Sequence, residues 1–286
     1  MLRQKMEKAG AQLYLQTAVK SIRHDGNFIV ELERESRSIT VRAKHLVVAT
    51  GGKSIPKMGA TGLAYDIARQ FGHDVTETRP ALVPFTFDKG RFSDISGVSL
   101  PARLSAGKTS FHEALLFTHR GLSGPAVLQI SSYWREGEQI IVDLLPDTDL
   151  IAHLKDKRRG DGRKALTTEL SKLLPGRLVS LLAQEMDLAG NLGDLSDKRI
   201  DAVAAALTAW ALHPTGTEGY RTAEVTLGGI STSRIDSATM MSRDVTGLYF
   251  IGEALDVTGW LGGYNFQWAW SSAQAAGRHI FAQTRN

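Results

Sequence analysis

The stretch YFIGEALDVTGWLGGYNFQWAWSSAQAAG, Tyr249 to Gly277, decides the reading of the fold. A short apolar run ends in Gly252 and a single acid, Glu253. The paired glycines Gly262 and Gly263 follow, and the chain then enters a helix-forming segment at Tyr264 and Asn265. Apolar residues recur at helical spacing at Phe266, Ala269, Trp270, Ala273, Gly277 and Ile280. On this spacing Ala269, Ala273 and Gly277 form a small-residue face that sits close to a sheet, with Asn265 as the N-cap. The first N–H groups of a helix lack intrahelical partners and carry the positive end of its dipole. Glycines just before them remove the Cβ atoms that would hold a ligand away. A glycine-hinged core helix has the same pattern, so both readings stand at this point.

A second stretch supplies the partner strand. HLVVATGG, His45 to Gly52, is an unbroken apolar run ending in paired glycines, as a central parallel strand reads. In a doubly wound α/β sheet, ligands bind at the carboxyl ends of strands. Ala49, Thr50, Gly51 and Gly52 form one such end, and Gly252 with Glu253 the other. Glu253 is placed to accept hydrogen bonds from sugar-like hydroxyls. Its alternative is to cap the next turn, a role open to Asp256 as well.

Outward from these strands the texture changes three times. Leu2 to Lys8 reads as the end of a helix closed by Gly10. The runs AQLYL, VKSIR, NFIVEL and SITVRA follow as strands, with a turn at Asp25, Gly26 and Asn27. Leu63 to Phe71 is a helix stopped by Gly72. From Leu82 to Leu145 the chain is mostly short β-like runs, interrupted by one helix that Ser123 caps and Pro125 opens. Leu150 to Leu212 has Leu and Ala at helical spacing and reads as three or so helices, the last capped by Ser196. The expected division is 1–80 with 222–286 as a Rossmann-like domain, 81–149 with 213–221 as a small β domain, and 150–212 as a helical insert that contributes little to the ligand site.

Composition narrows the chemistry. The 286 residues include no cysteine, which excludes disulfides, thiolate metal sites and dithiol electron relays within this chain. The scattered histidines show no metal-ligand spacing, so no metal is expected. No apolar run approaches the ~18 residues of a membrane span, and the N-terminus carries no leader-like segment; a cytoplasmic protein without a membrane partner is expected. The net charge of +4 permits nucleic-acid binding without demanding it. The densest basic run, KDKRRGDGRK, contains two aspartates and reads as a solvated loop rather than an RNA contact.

The segment from Glu224 to Gly277, together with LVVATGGKSIPKMGATGLAYDIARQFGH and ALLFTHRGLSGPAVLQISSYW, resembles the HI0933-like family of NAD(P)/FAD-dependent oxidoreductases across essentially the whole chain. The resemblance implies an FAD-binding Rossmann-like domain, a small β-barrel and a helical domain inserted in it. It implies FAD as cofactor, NADH or NADPH as electron donor, and a small organic substrate such as an enone. A reduced flavin holds negative charge near N1 and O2, which suits a helix start. The resemblance thus places Ala49, Thr50, Gly51, Gly52, Gly252, Glu253, Asp256, Gly262, Gly263, Tyr264, Asn265 and Phe266 around the cofactor. His119, in FTHRGLSGP, becomes a candidate proton donor; a lone loop histidine is otherwise a structural hydrogen-bonding group. Members of the family begin with a strand, a G-x-G-x-x-G turn and a helix that hold the ADP half of FAD. This chain shows none of these, so a truncated form or part of a longer protein is expected, one that retains FAD weakly or not at all. Flavin-dependent RNA modification, RNA binding and an inactive fragment stand as alternatives to small-molecule reduction.

Overall fold

The structure, a computed structural model, describes residues 1–284. Helix α1 (Leu2–Lys8) opens the chain. Residues 11–15, expected as a strand, lie outside any strand, and Leu13 and Leu15 are exposed. An antiparallel meander follows: β1 (Thr17–His24), β2 (Phe28–Arg34) and β3 (Arg37–Ala43), with the first turn at Asp25 to Asn27. It feeds β4 (Leu46–Val48), and α2 (Leu63–Gln70) buries Ala64, Tyr65, Ile67 and Ala68.

The next region is β-rich. Strands β5 (Arg79–Ala81), β6 (Phe85–Thr86), β7 (Ser99–Ala106), β8 (Thr109–Thr118) and β9 (Gly121–Ser123) lead into α3 (Pro125–Ser131) and β10 (Ile140–Asp143). Ser123 does not cap α3, because it belongs to β9; Gly124, at φ 93°, occupies that position without a side-chain bond. Four helices come next: α4 (Leu150–Asp161), α5 (Leu166–Leu170), α6 (Gly176–Glu185) and α7 (Asp197–Thr208). Asp149 caps α4 and Ser196 caps α7 through backbone N–H groups. The basic run is no loop up to Asp161: it forms the last turns of α4, where Lys155 and Arg158 both pair with Asp197.

The chain then returns as β11 (Trp210–Leu212) and β12 (Gly216–Thr217). Trp210 to Leu212, expected as helix, are drawn into a strand by antiparallel pairing with Ile140 to Val142. The expected barrel takes the form of a seven-stranded antiparallel sheet, ordered β11-β10-β7-β8-β9-β6-β12. A single buried cluster runs from Phe85 in this sheet through Leu154, Leu178 and Ile200 of the helices to Leu212. Sheet and helices therefore share one core.

The last part closes the Rossmann-like half with β13 (Val225–Leu227), β14 (Leu248–Phe250) and α8 (Tyr264–Gln283). Its separate core joins Phe28, Val48, Tyr65, Tyr249, Phe250 and Ala276. Strand β14 is fully buried and pairs in parallel with β4, Leu248 opposite Leu46 and Phe250 opposite Val48. These two strands make the whole described parallel sheet, and Val47 is 38% exposed, so continuous burial fails at that position.

The face that α8 lays on the sheet also differs from the small-residue stripe. Ser272 and Ala276 are its buried residues, and Trp268 packs against the core, while Trp270 and Gly277 point outward. Two hydrogen bonds set this rotation. Ser272 Oγ accepts from the Gly252 N–H at 3.0 Å, and Trp268 Nε1 donates to the Gly252 carbonyl at 3.0 Å. A serine on the inner face is invisible to an apolar periodicity. Among the described residues, no helix is long and apolar enough to cross a membrane.

Candidate functional site

Parallel pairing of β4 with β14 brings their carboxyl ends side by side, and the start of α8 closes over them. Between these pieces lies a cavity of about 640 Å³. Ala49 and Gly51 line it from the first strand end, and Gly252 and Glu253 from the second. Gly262, Gly263, Asn265 and Phe266 line it from the helix start. Eight of the residues singled out from the sequence thus meet in one place.

The glycines do different things there. Gly51 (φ 70°) and Gly263 (φ 91°) have left-handed backbones, and a Cβ on either would meet nothing within 4 Å. Their missing side chains leave open wall. Gly52 is the opposite case: a Cβ there would lie 2.4 Å from Thr226 Oγ1 and 2.7 Å from Glu253 Oε1. Its role is close packing within the protein, and it does not line the cavity.

Asn265 is not the N-cap of α8. Gly263 holds that position without a side-chain bond. Asn265 instead turns back to the preceding loop and bonds both backbone groups of Gly259. Gly259 is itself needed, because a Cβ there would lie 2.6 Å from Tyr264 Cβ. The Tyr264 ring turns toward Gly262 and is not part of the lining. The first-turn N–H groups of α8 stay free of intrahelical bonds, as at any helix start, and give the wall its donor character.

Glu253 is the acid of this wall, and its carboxylate accepts from the Thr226 N–H at 2.6 Å. Burial pushes its pKa above the ordinary value, and the bonds to Thr226 offset part of that rise. Beneath it, the Tyr65 hydroxyl is buried beside Thr226 without a well-formed hydrogen bond. Burial, followed by the nearby Glu253 charge, pushes this phenol to about 12. Thr226 Oγ1 also accepts from the Lys53 N–H at 2.8 Å, tying the first strand end to β13.

Three other candidates lie elsewhere. Thr50 is exposed next to the cavity without lining it. Asp256 accepts from Thr76 Oγ1 at 2.9 Å and so holds the segment that precedes β5. His119 is exposed on the two-residue turn between β8 and β9, outside the lining, next to an Arg120–Glu218 pair at 3.6 Å.

Sequence reasoning missed other parts of the lining, namely Ile55, Leu82, Glu224, Val225, Trp260 and Leu261. Ile55 (φ 55°) and Leu82 (φ 48°) hold left-handed backbones, unusual for non-glycine residues and most of all for a β-branched one. No sequence pattern announces such positions. Trp260 lay within the decisive stretch, and its signal was an aromatic residue one position removed from two glycines.

A family model described as the HI0933-like protein Rossmann domain matches residues 1–279. The chain belongs to the HI0933-like family. Among HI0933-like relatives, the ribosomal RNA dihydrouridine synthase of Escherichia coli (strain K12) is 48% identical over 292 residues, covering 99% of this chain and 71% of that one. The ribosomal RNA dihydrouridine synthase of Haemophilus influenzae (strain ATCC 51907 / DSM 11121 / KW20 / Rd) is 45% identical, covering 99% and 72%. The 3-dehydro-bile acid delta(4,6)-reductase of Clostridium scindens (strain ATCC 35704 / DSM 5676 / VPI 13733 / 19) is 31% identical, covering 82% and 62%. In this HI0933-like chain no group of described His, Asp or Glu residues is arranged to hold a metal ion.

Proposed function

We propose that this chain carries the ring-binding half of an FAD-dependent reductase that saturates the C5=C6 bond of a uracil in ribosomal RNA. The observation that carries the reading is the glycine wall. At Gly51 and Gly263 the cavity is bounded by backbone with no side chain, beside the free N–H groups of a helix start. A flat heteroaromatic ring with an electron-rich edge fits such a wall, and an isoalloxazine is one.

A bound flavin supplies two electrons, with NADH or NADPH as the donor class that replenishes them. The chain's residues bind and orient. Gly262 and Gly263 would admit the ring, and the N–H donors at the start of α8 would suit an electron-rich edge of it. Glu253, half-buried and holding the Thr226 N–H with one oxygen, would offer its other oxygen to a sugar-like hydroxyl. Phe266 and Trp260 supply apolar surface at the mouth.

The substrate class follows from chemistry common to the relatives. Uracil C5=C6 is conjugated to the C4 carbonyl, so its reduction is a hydride addition at C6 and a proton addition at C5. The name of the bile-acid relative likewise describes a 3-dehydro compound and double bonds at positions 4 and 6, a carbonyl-conjugated alkene. The two relatives of 45–48% identity over 99% of this chain favour RNA over a free small molecule, the partner expected from the sequence. The bile-acid relative supports a second reading, reduction of a small enone by the same cavity.

The full-length protein, loaded with FAD and given NADPH or NADH, should convert an unmodified ribosomal RNA transcript to a product two hydrogens heavier at one uridine, read by nuclease digestion and mass spectrometry. RNA left unchanged while a small enone is consumed would overturn the RNA reading and favour the second.

A further inference from the structure

We propose that Trp260 is a stacking platform for an unpaired nucleobase of the RNA at the cavity mouth; this rests on the RNA reading above. The indole lines the cavity yet is 54% exposed. Exposed tryptophans are usually loosely held, but this one is fixed at two points. Its Nε1 donates to the Tyr133 hydroxyl at 2.7 Å, and its ring meets Phe111 edge-to-face at 5.4 Å and 89°. Phe111 and Tyr133 also contact one another, with centroids 5.7 Å apart. Three separate segments, namely the loop before α8, strand β8 and the end of α3, converge to orient one ring that remains more than half open. Ordering without burial costs side-chain entropy and gains little apolar stabilisation. A partner that stacks on the open surface accounts for it.

The chemistry at the rim favours RNA. Ile55 lines the same cavity as the indole, and its N–H donates to the Tyr220 carbonyl at 2.8 Å, joining two loops. Lys57 and Arg221 stand on these loops, both exposed and without an ion pair among the described residues. Every base has a face that stacks on an aromatic ring, and its phosphates need cations alongside. A uracil within folded RNA must leave its own stack before its C5=C6 bond reaches a cavity, and the vacated partners need a surface. A bile acid carries a single carboxylate and would engage at most one of the two cations, whereas RNA presents a phosphate at every nucleotide.

The test is binding of a fluorescently labelled, unmodified ribosomal RNA hairpin to the FAD-loaded full-length protein, read by anisotropy across a salt series. Trp260→Ala should weaken binding roughly 10-fold or more, as loss of a stacked base does, with the slope of log K against log salt unchanged. Trp260→Phe should restore most of the affinity. The double variant Lys57→Gln, Arg221→Gln should flatten the salt slope by about 1.4 units, the share of two single-strand phosphate contacts. Wild-type affinity in Trp260→Ala, with RNA still reduced by the unaltered protein, overturns the platform alone. An unaltered protein that neither binds nor reduces the RNA overturns the RNA reading and the platform with it. Tighter loss for a small enone than for RNA in Trp260→Ala assigns the indole to the small-molecule class and also overturns the proposal.

Discussion

Asn265 clamps Gly259 at both of its backbone groups: Oδ1 accepts from the Gly259 N–H at 2.8 Å, and Nδ2 donates to the Gly259 carbonyl at 3.1 Å. The clamp fixes the loop that carries Trp260 and Leu261 to the first turn of α8. Two net hydrogen bonds of ordinary worth amount to about 1–3 kcal/mol. Asn265→Ala should lose that much stability, seen as a lower urea midpoint at unchanged slope. Asn265→Asp keeps the acceptor and loses the donor, so it should fall between the two.

Gly263→Val tests the glycine wall. The site has room for the side chain within the protein, so the fold should lose only the backbone strain of a left-handed position, about 1–2 kcal/mol. Flavin occupancy of the full-length protein should fall far more, read from the visible spectrum after gel filtration. Full occupancy in a folded variant would show that the ring lies elsewhere.

Gly51 and Gly52, adjacent in sequence, should respond oppositely to alanine. At Gly52 the methyl group collides with Thr226 and Glu253, an overpacking that costs about 1–3 kcal/mol and appears as a lower melting temperature. At Gly51 the methyl group points into open space, so its stability loss is the strain of a left-handed backbone, about 1–2 kcal/mol. Its further effect should fall on flavin affinity, which Gly52 does not touch directly. Titration of the two variants with FAD separates the outcomes.

Glu253 gives a pH dependence of definite sign. Its carboxyl is raised above the ordinary 4.5, chiefly by burial, so the folded protein holds this proton to higher pH than the unfolded chain does. The resulting penalty is absent below about pH 4.5, grows as pH rises from there to the raised value, and is complete above it. Glu253→Gln removes the ionisable group and keeps an oxygen acceptor for the Thr226 N–H. The flavin-free variant should therefore melt higher than the unaltered protein at pH 7, with the gap closing toward pH 4. A constant gap at all pH values would refute this assignment.

Much of the site was legible because its components carry local rules. Strand ends with glycines, a helix start and an acid between them meet as expected, since β4 and β14 pair in parallel. What escaped depends on contacts between distant segments. The rotation of α8 follows from Ser272 and Trp268 bonding Gly252, and an apolar count passes over a serine. Asn265 reads as a cap from its position, yet its side chain finds Gly259 first. The left-handed Ile55 and Leu82 contradict local preference and exist only because the surrounding fold holds them. In the fold, the shift at Leu150 marked the helices, but the return to β at Trp210 was hidden in a leucine- and alanine-rich run.

The buried cluster that spans the seven-stranded sheet and the four helices has a calorimetric consequence. Phe92 touches Phe87, Phe117 and Trp210 edge-on, and the same cluster continues to Leu178 and Leu207. Melting either layer strips the other of its apolar partner, so neither has an independent transition. Three regions distinct in sequence thus reduce to two cooperative units, and the boundary between them follows the small patch at Ala81, Leu82 and Val225, along one wall of the cavity. A ligand seated in that cavity bridges both units and raises their melting together, by mass action.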